Sequence, residues 1–216
     1  MGLFSKLFGG NKTEVEEKVQ STPVNTTASV IDMSKSAENL NKVLIDMSKG
    51  SKIDMTKHVA RVALAMDYSG SMDRLYYNGA VQNVITRLLP IALKFDDNGE
   101  LESWLFSNQE ERLPAVNVNN YENYVQKVMM KACMSMGGTN YAPVLKDMVK
   151  YYKDIEPSSV PAFIIFITDG ENFDKAETNK IIKELSNYNI FVQFIGIGNE
   201  SFTYLKSLDN MEGRVH

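Results

Sequence analysis

Two patterns of apolar and polar residues alternate along the second part of the chain. Short continuous apolar runs are typical of strands that are buried on both faces of a sheet. Between them, apolar residues recur every three or four positions, as they do on one face of a helix. The strands predicted in this way cover residues 59–66, 101–106, 112–118, 160–167 and 190–197. The predicted helices cover residues 75–93, 121–132, 143–152, 176–188 and a last segment around 202–208.

The alternation of strands and helices predicts an α/β domain. We expect a doubly wound, mostly parallel sheet with helices on both faces. Residues 107–111 separate two predicted strands closely enough to form a hairpin. In doubly wound sheets, ligands bind beyond the carboxyl ends of the strands, where the strand order reverses. The loops that follow the predicted strands are therefore where a functional site is expected.

Three of these loops carry side-chain oxygens. Asp67, Ser69 and Ser71 follow the first strand, Thr139 follows two glycines, and Asp169 follows the strand at residues 160–167. These two carboxylates and three hydroxyls form an all-oxygen set, which hard divalent cations prefer. The chain has only one Cys and two His, so it offers few ligands for softer metals.

Together, Asp67-x-Ser69-x-Ser71, Thr139 and Asp169 resemble the metal-ion-dependent adhesion site of von Willebrand factor A (vWA) domains. The resemblance extends over roughly residues 56–212. It implies the strand order 3-2-1-4-5, in which the strands ending near Asp67 and Asp169 are neighbours. Domains of this family usually close with a sixth strand and a helix. Because the sequence stops at His216, we expect that final strand to be missing. Either the sequence is truncated, or another segment such as the N-terminal repeats covers this edge.

The resemblance also implies how a metal is bound. Ser69 and Ser71 would bind it directly, Thr139 directly or through water, and Asp67 and Asp169 would hold coordinating waters and orient the serines. Hydroxyl ligands are neutral, so an open position on the ion would favour a partner protein's Glu or Asp. Mg²⁺ with retained waters suits such a site, and Mn²⁺ and Ca²⁺ are the alternatives. The expected function is Mg²⁺-dependent protein–protein interaction without enzymatic activity.

Other interpretations stay open on the sequence alone. Asp67 and Ser69 are good helix-capping residues, and Asp169-Gly170 is a common turn pair, so a structural scaffold with an empty site is one alternative. A metal-dependent hydrolase or phosphotransferase is another. Phosphoryl transfer to an Asp nucleophile would favour a second Asp where Ser69 stands, and neither His lies near the motif.

The first 57 residues differ in character from the rest. Residues 1–29 are polar and are predicted to be a flexible segment, although residues 1–8 have a helical apolar spacing that would suit contact with a membrane surface. Residues 30–57 contain three copies of Ile-Asp-Met-Ser/Thr-Lys, which begin at Ile31, Ile45 and Ile53. The vWA domain is assigned to residues 58–216.

Residues 50–57 resemble a short segment of the tellurite-resistance (Ter) family, some members of which carry a vWA domain. This resemblance implies a stress or tellurite-resistance-like system in a bacterium or phage. A whole Ter β-sandwich does not fit into 57 residues, so its calcium sites are not transferred to this chain. The alternative interpretation is that the repeats form edge strands or docking segments for the vWA domain.

Composition narrows the function further. A net charge of −4 argues against nucleic-acid binding, which usually requires a basic surface. The single cysteine, Cys133, excludes an internal disulfide framework and favours a reducing compartment such as the cytoplasm. No apolar stretch approaches the ~20 residues that span a bilayer.

Overall fold

The computed structural model describes residues 59–170, 172–185, 187–198, 200–209 and 211. The predictions for residues 1–29 and for the repeats in residues 30–57 lie outside the described residues. The prediction that a final strand is missing also lies outside the described residues. Among the helices of the described ranges, none is both long and apolar enough to cross a membrane.

A mostly parallel sheet forms the centre of the fold, as the alternating pattern predicted. The described residues contribute five strands to it, in the order β3-β2-β1-β4-β5. Only the β2–β3 pair is antiparallel. β1 lies at the centre, between β2 and β4, so the strand order reverses around it. The strands are β1 (Arg61–Asp67), β2 (Leu101–Phe106), β3 (Glu110–Val116), β4 (Ala162–Thr168) and β5 (Ile190–Gly196).

Helices cover both faces of this sheet, which confirms the predicted doubly wound α/β fold. The α-helices of the described part of the chain are α1 (Asp73–Tyr77), α2 (Ala80–Phe95), α3 (Tyr124–Lys127), α4 (Ala142–Lys150), α5 (Lys175–Leu185) and α6 (Thr203–Asp209), and a π-helical turn, Tyr151–Ile155, continues α4. Buried side chains of α2 and α3 share one core with the sheet. Those of α4, α5 and α6 share a second core on the opposite face.

The central strand shows how its sequence serves both cores. Successive side chains of a strand point to opposite faces. Leu64 and Met66 enter the first core, whereas Ala63 and Ala65 enter the second. All four are fully buried. The small alanines lie on the side where large rings pack, and Phe106 and Phe166 approach each other to 4.5 Å between ring centroids. β1 is thus a rigid platform for the loop that follows it.

The helix predicted over residues 75–93 is interrupted. Helix α1 ends at Tyr77, and α2 starts at Ala80 after Gly79, whose φ of 82° is in the left-handed region that glycine adopts readily. The Ala80 amide donates to Asn78 Oδ1 at 3.0 Å, so the Asn-Gly pair works as a turn. Pro90 does not end α2, which continues to Phe95.

A continuous helix over residues 121–132 was also a wrong prediction. The chain forms the short α3 and then a separate 3₁₀ turn, Met129–Lys131. The two are separated by Val128, which has non-helical backbone angles. The buried side chains of Tyr124 and Met129 still reach the core. Apolar spacing therefore identified which residues are buried, but it did not distinguish one helix from two short turns.

Candidate functional site

Asp67 ends the central strand at the carboxyl edge of the sheet, and its side chain is fully buried. Its two carboxylate oxygens are held by different loops. The Ser69 amide donates to Oδ1 at 2.7 Å, and the Thr168 hydroxyl donates to Oδ2 at 2.5 Å. The Tyr76 hydroxyl donates to the Asp67 carbonyl at 2.8 Å. Donors from α1 and from the end of β4 thus fix the position of this residue.

The two serines of the motif lie side by side on the next turn. Ser69 is buried and Ser71 is exposed, and their Oγ atoms are 3.0 Å apart. The Ser71 hydroxyl donates to Asp169 Oδ1 at 2.9 Å. These contacts form a continuous row of side-chain oxygens that joins the loop after β1 to the loop after β4.

Thr139 belongs to a third loop, which main-chain contacts hold beside the other two. The Gly70 amide donates to the Gly137 carbonyl at 3.0 Å, and the Phe173 amide donates to the Thr139 carbonyl at 2.9 Å. Gly137 lies close to Asn108: a Cβ at Gly137 would lie 2.1 Å from Asn108 Oδ1, so this exposed side chain would have to move. The fold therefore brings all five predicted residues to one edge of the sheet, with Thr139 buried between the two acidic loops.

Three residues that support this arrangement, Thr168, Tyr141 and Asp174, were not predicted from the sequence. Thr168 donates to Asp67, and the Tyr141 hydroxyl lies 3.2 Å from Thr168 Oγ1 and donates to the Gly170 carbonyl at 2.9 Å. The Asp174 carboxylate accepts the amides of Tyr141 and Ala142 at the start of α4, at 3.1 and 2.8 Å. Thr168 is adjacent to a predicted ligand, and Asp174 directly precedes α5. The link between Asp174 and α4 is visible only in the fold.

Burial disfavours the charged forms of the two acidic residues in the site. Burial raises the pKa of Asp67 to about 6, against hydrogen bonds from Ser69 and Thr168 that lower it, and the nearby charge of Asp169 raises it further. Burial also raises the pKa of Asp169, which the hydrogen bond from Ser71 opposes. A cation placed between the two carboxylates would favour their charged forms.

The donor set fits a hard divalent cation. Within the described ranges there is no group of three or more His, Cys, Asp or Glu side chains arranged to hold a metal. A metal at this edge would therefore rely on the hydroxyls of Ser69, Ser71 and Thr139 as well as on the two carboxylates. Such a set consists entirely of oxygen atoms, which are the ligands of Mg²⁺ in proteins, and Mg²⁺ usually keeps several waters in addition.

Comparison with known proteins agrees with the fold and gives the family. A family model for the vWA domain found at the C terminus of TerF matches residues 59–216. A Bacillus subtilis (strain 168) protein, "Uncharacterized protein YcbR", is 42% identical over 179 residues, which cover 79% of this chain and 73% of that protein.

Solved structures show the same fold at low sequence identity. The manganese-loaded TRAP protein of Plasmodium vivax has a TM-score of 0.55 at 20% identity, over 74% of this chain and 65% of that one. The chain thus spans less than two thirds of that structure. The SpRpn10 VWA domain has a TM-score of 0.53 at 12% identity, over 72% of this chain and 84% of that one. These likenesses show the fold, and the family match shows that the chain belongs to the family of vWA domains found at the C terminus of TerF.

Proposed function

We propose that the chain is a metal-dependent protein-interaction module. In this proposal Asp67, Ser69, Ser71, Thr139 and Asp169 hold Mg²⁺, and the ion binds an acidic side chain of a partner protein. The observation that carries the proposal is the row of oxygens from Ser69 through Ser71 to Asp169, with separations of 3.0 and 2.9 Å. This row joins the loop after β1 to the loop after β4. The strand order reverses between these two strands, and doubly wound sheets bind ligands at such a point.

The hydrogen bonds leave the right atoms free for a cation. Ser71 donates its proton to Asp169, so Ser69 is the donor in the contact between the two serines, and one lone pair of Ser71 Oγ is available as a ligand. Asp67 is held by the Ser69 amide, which fixes the turn carrying both serines. When bound, the ion supplies a position that attracts a carboxylate oxygen. The manganese in the Plasmodium protein supports a divalent cation, and Mn²⁺ and Ca²⁺ remain alternatives to Mg²⁺.

We further propose that the site binds and does not catalyse. Each oxygen of the Asp67 carboxylate already accepts a hydrogen bond, from Ser69 or Thr168, which disfavours Asp67 as a nucleophile. Ser69 stands where an aspartate-based phosphotransferase would favour a second carboxylate. Membership of the TerF-type family supports a role in a stress or tellurite-resistance-like system in the cytoplasm.

Titration calorimetry of the full chain with Mg²⁺, Mn²⁺ and Ca²⁺ tests the metal site. Ser69→Ala and Ser71→Ala should each abolish Mg²⁺ binding while leaving the thermal unfolding midpoint in EDTA nearly unchanged, because neither removes core volume. Ser158→Ala is the matched control. Ser158 is an exposed serine close to the start of β4, at the opposite end of the sheet from the site. Equal Mg²⁺ affinity in all four proteins would refute the metal assignment.

A phosphatase assay tests the distinction between binding and catalysis. We expect the full chain with Mg²⁺ to hydrolyse generic phosphate esters no faster than the Ser71→Ala variant does. Robust Mg²⁺-dependent hydrolysis that Asp67→Asn removes would favour the hydrolase alternative over the interaction module.

A further inference from the structure

One large apolar side chain stands exposed beside the candidate metal site. Phe173 is 81% exposed, and its ring approaches to 3.5 Å the position that a Cβ on Gly138 would occupy. The amide of Phe173 donates to the Thr139 carbonyl, so this residue is tied to the loop of a predicted ligand. Aromatic residues are enriched at protein interfaces and among the residues that dominate binding energy. An apolar side chain next to the metal-bound acid would cover this ring.

The rim of the site also carries negative charge. Asp73 is exposed two residues after Ser71, and Glu200 is exposed and close enough to Asp169 to interact with it electrostatically. A ligand that suits the whole surface therefore has three features. It offers a carboxylate to the metal, a large apolar residue to Phe173, and a basic residue to the acidic rim.

The chain carries this combination three times in its own N-terminal segment. Each repeat places an aspartate, Asp32, Asp46 or Asp54, between an Ile and a Met, with a lysine three residues later. We propose that an Ile-Asp-Met repeat of the same chain occupies the site, with its aspartate on the metal and an apolar neighbour on Phe173. The inference rests on the metal-dependent function proposed above.

The length of chain between each repeat and Val59 determines which repeats can reach the metal site of their own chain. The path from Val59 along β1 to Asp67 covers eight residues, or roughly 26 Å at ~3.3 Å per residue. Asp54 is five residues before Val59 and extends at most about 17 Å, whereas Asp46 is 13 residues before it and extends about 45 Å. Asp32 has still more chain available. Asp32 and Asp46 can therefore reach the site of their own chain, and Asp54 can reach only that of another copy.

Mg²⁺ titration of full-length variants tests this assignment. A carboxylate on the metal and the metal in its site must strengthen each other's binding equally. The double variant Asp32→Asn/Asp46→Asn should therefore bind Mg²⁺ about fivefold or more weakly than the wild type. Asp54→Asn makes the same chemical change in the repeat that cannot reach the site of its own chain. It should therefore leave the Mg²⁺ affinity unchanged.

Limited trypsin digestion of the full chain gives an independent measurement. Cleavage after Lys35 and Lys49, the last residues of the first two repeats, should be slower in Mg²⁺ than in EDTA. Phe173→Ser should remove this protection. Phe191→Ser is the control, because Phe191 is an exposed aromatic on the edge strand β5. Loss of protection in Phe191→Ser but not in Phe173→Ser would show that the repeats cover the sheet edge, and would overturn the proposal.

The remaining outcomes separate this inference from the proposed function. If the wild type and the double variant bind Mg²⁺ equally tightly, the repeats do not occupy the site although the metal site stands. If the wild type binds no Mg²⁺, the proposed function itself fails. Weaker binding in Asp54→Asn, with protection that rises with protein concentration, would show that a second copy supplies the repeat and would overturn the intramolecular assignment.

Discussion

Asp169 and Asp174 lie five residues apart on the loop that leaves β4, yet their surroundings differ. Asp169 is buried, and the only side-chain donor it has among the described residues is the Ser71 hydroxyl at 2.9 Å. Asp174 is surrounded by donors from two helices and from its own loop. They are the amides of Tyr141 and Ala142, the Asn172 side-chain amide and the Thr178 hydroxyl, at 2.8 to 3.1 Å.

The difference separates a structural carboxylate from one that is available to a ligand. Asp174 places its negative charge at the N-terminus of α4 while directly preceding α5, so it joins two helices. Asp169 retains acceptor capacity in a place where burial disfavours its charge. Carboxylates of this second kind are concentrated at functional sites, because a bound cation offsets the cost of burying them.

The largest effect is expected from removing the structural carboxylate. Asp174→Ala should lower the free energy of unfolding by about 2–4 kcal/mol, because it leaves several donors without a charged acceptor. Urea denaturation in EDTA measures this change, and Asp97→Ala, which removes an exposed acid elsewhere, is the control. A loss no greater than that of the control would remove the distinction between the two aspartates.

The complementary change is Asp169→Ala, which should act on the metal and not on the fold. At ~100 times its dissociation constant, Mg²⁺ should stabilise the wild type by about 2.7 kcal/mol, and the variant should lose nearly all of this gain. Thermal melts with Mg²⁺ and with EDTA measure the difference. If Mg²⁺ stabilises Asp169→Ala as much as the wild type, Asp169 is not part of a metal site.

Asp67→Asn should make the metal-free protein more stable. The pKa of Asp67 is about 6 in the fold, above the ordinary value of 3.8. The folded state therefore holds more protons than the unfolded state between these values, and the contribution of Asp67 to stability falls as pH rises through that window. At pH 7 the variant should be more stable by about 1–3 kcal/mol.

At pH 4 the variant and the wild type should differ little, because Asp67 is then largely protonated in the fold. Melts in EDTA across this pH range check the sign of the effect. A variant that is less stable than the wild type at pH 7 would show that the hydrogen bonds to Asp67 outweigh the cost of burying its charge.

The smallest effect concerns the approach of the third loop. Gly137→Ala should reduce Mg²⁺ affinity with a change of less than about 1 kcal/mol in stability, since the new Cβ meets the end of the exposed Asn108 side chain, which can move. The double variant Gly137→Ala/Asn108→Ala should restore the affinity. Calorimetry on the four proteins measures the coupling, and additive effects would show that the contact with Asn108 is unimportant.

Much of the site was accessible from local sequence. Asp67, Ser69 and Ser71 lie within one turn, and Asp169 ends an apolar run, so both loops were placed at strand ends before the fold was known. Ligand roles for these residues and for Thr139 remain predictions. Tyr141 and Phe173 could not be assigned in the same way, because their contacts join loops that are about 30 residues apart in sequence.

Local patterns in the sequence were enough to predict the kind of fold and the edge of the sheet at which a site is expected. Strand and helix periodicities are local, so they survive without knowledge of distant contacts. Packing between distant elements determines which carboxylate has its acceptors occupied by donors and which keeps acceptors for a ligand. Asp169 and Asp174 both lie near turns in sequence, but the number of donors around each depends on where α4 and the loop after β1 pack, and that depends on burial across the whole sheet.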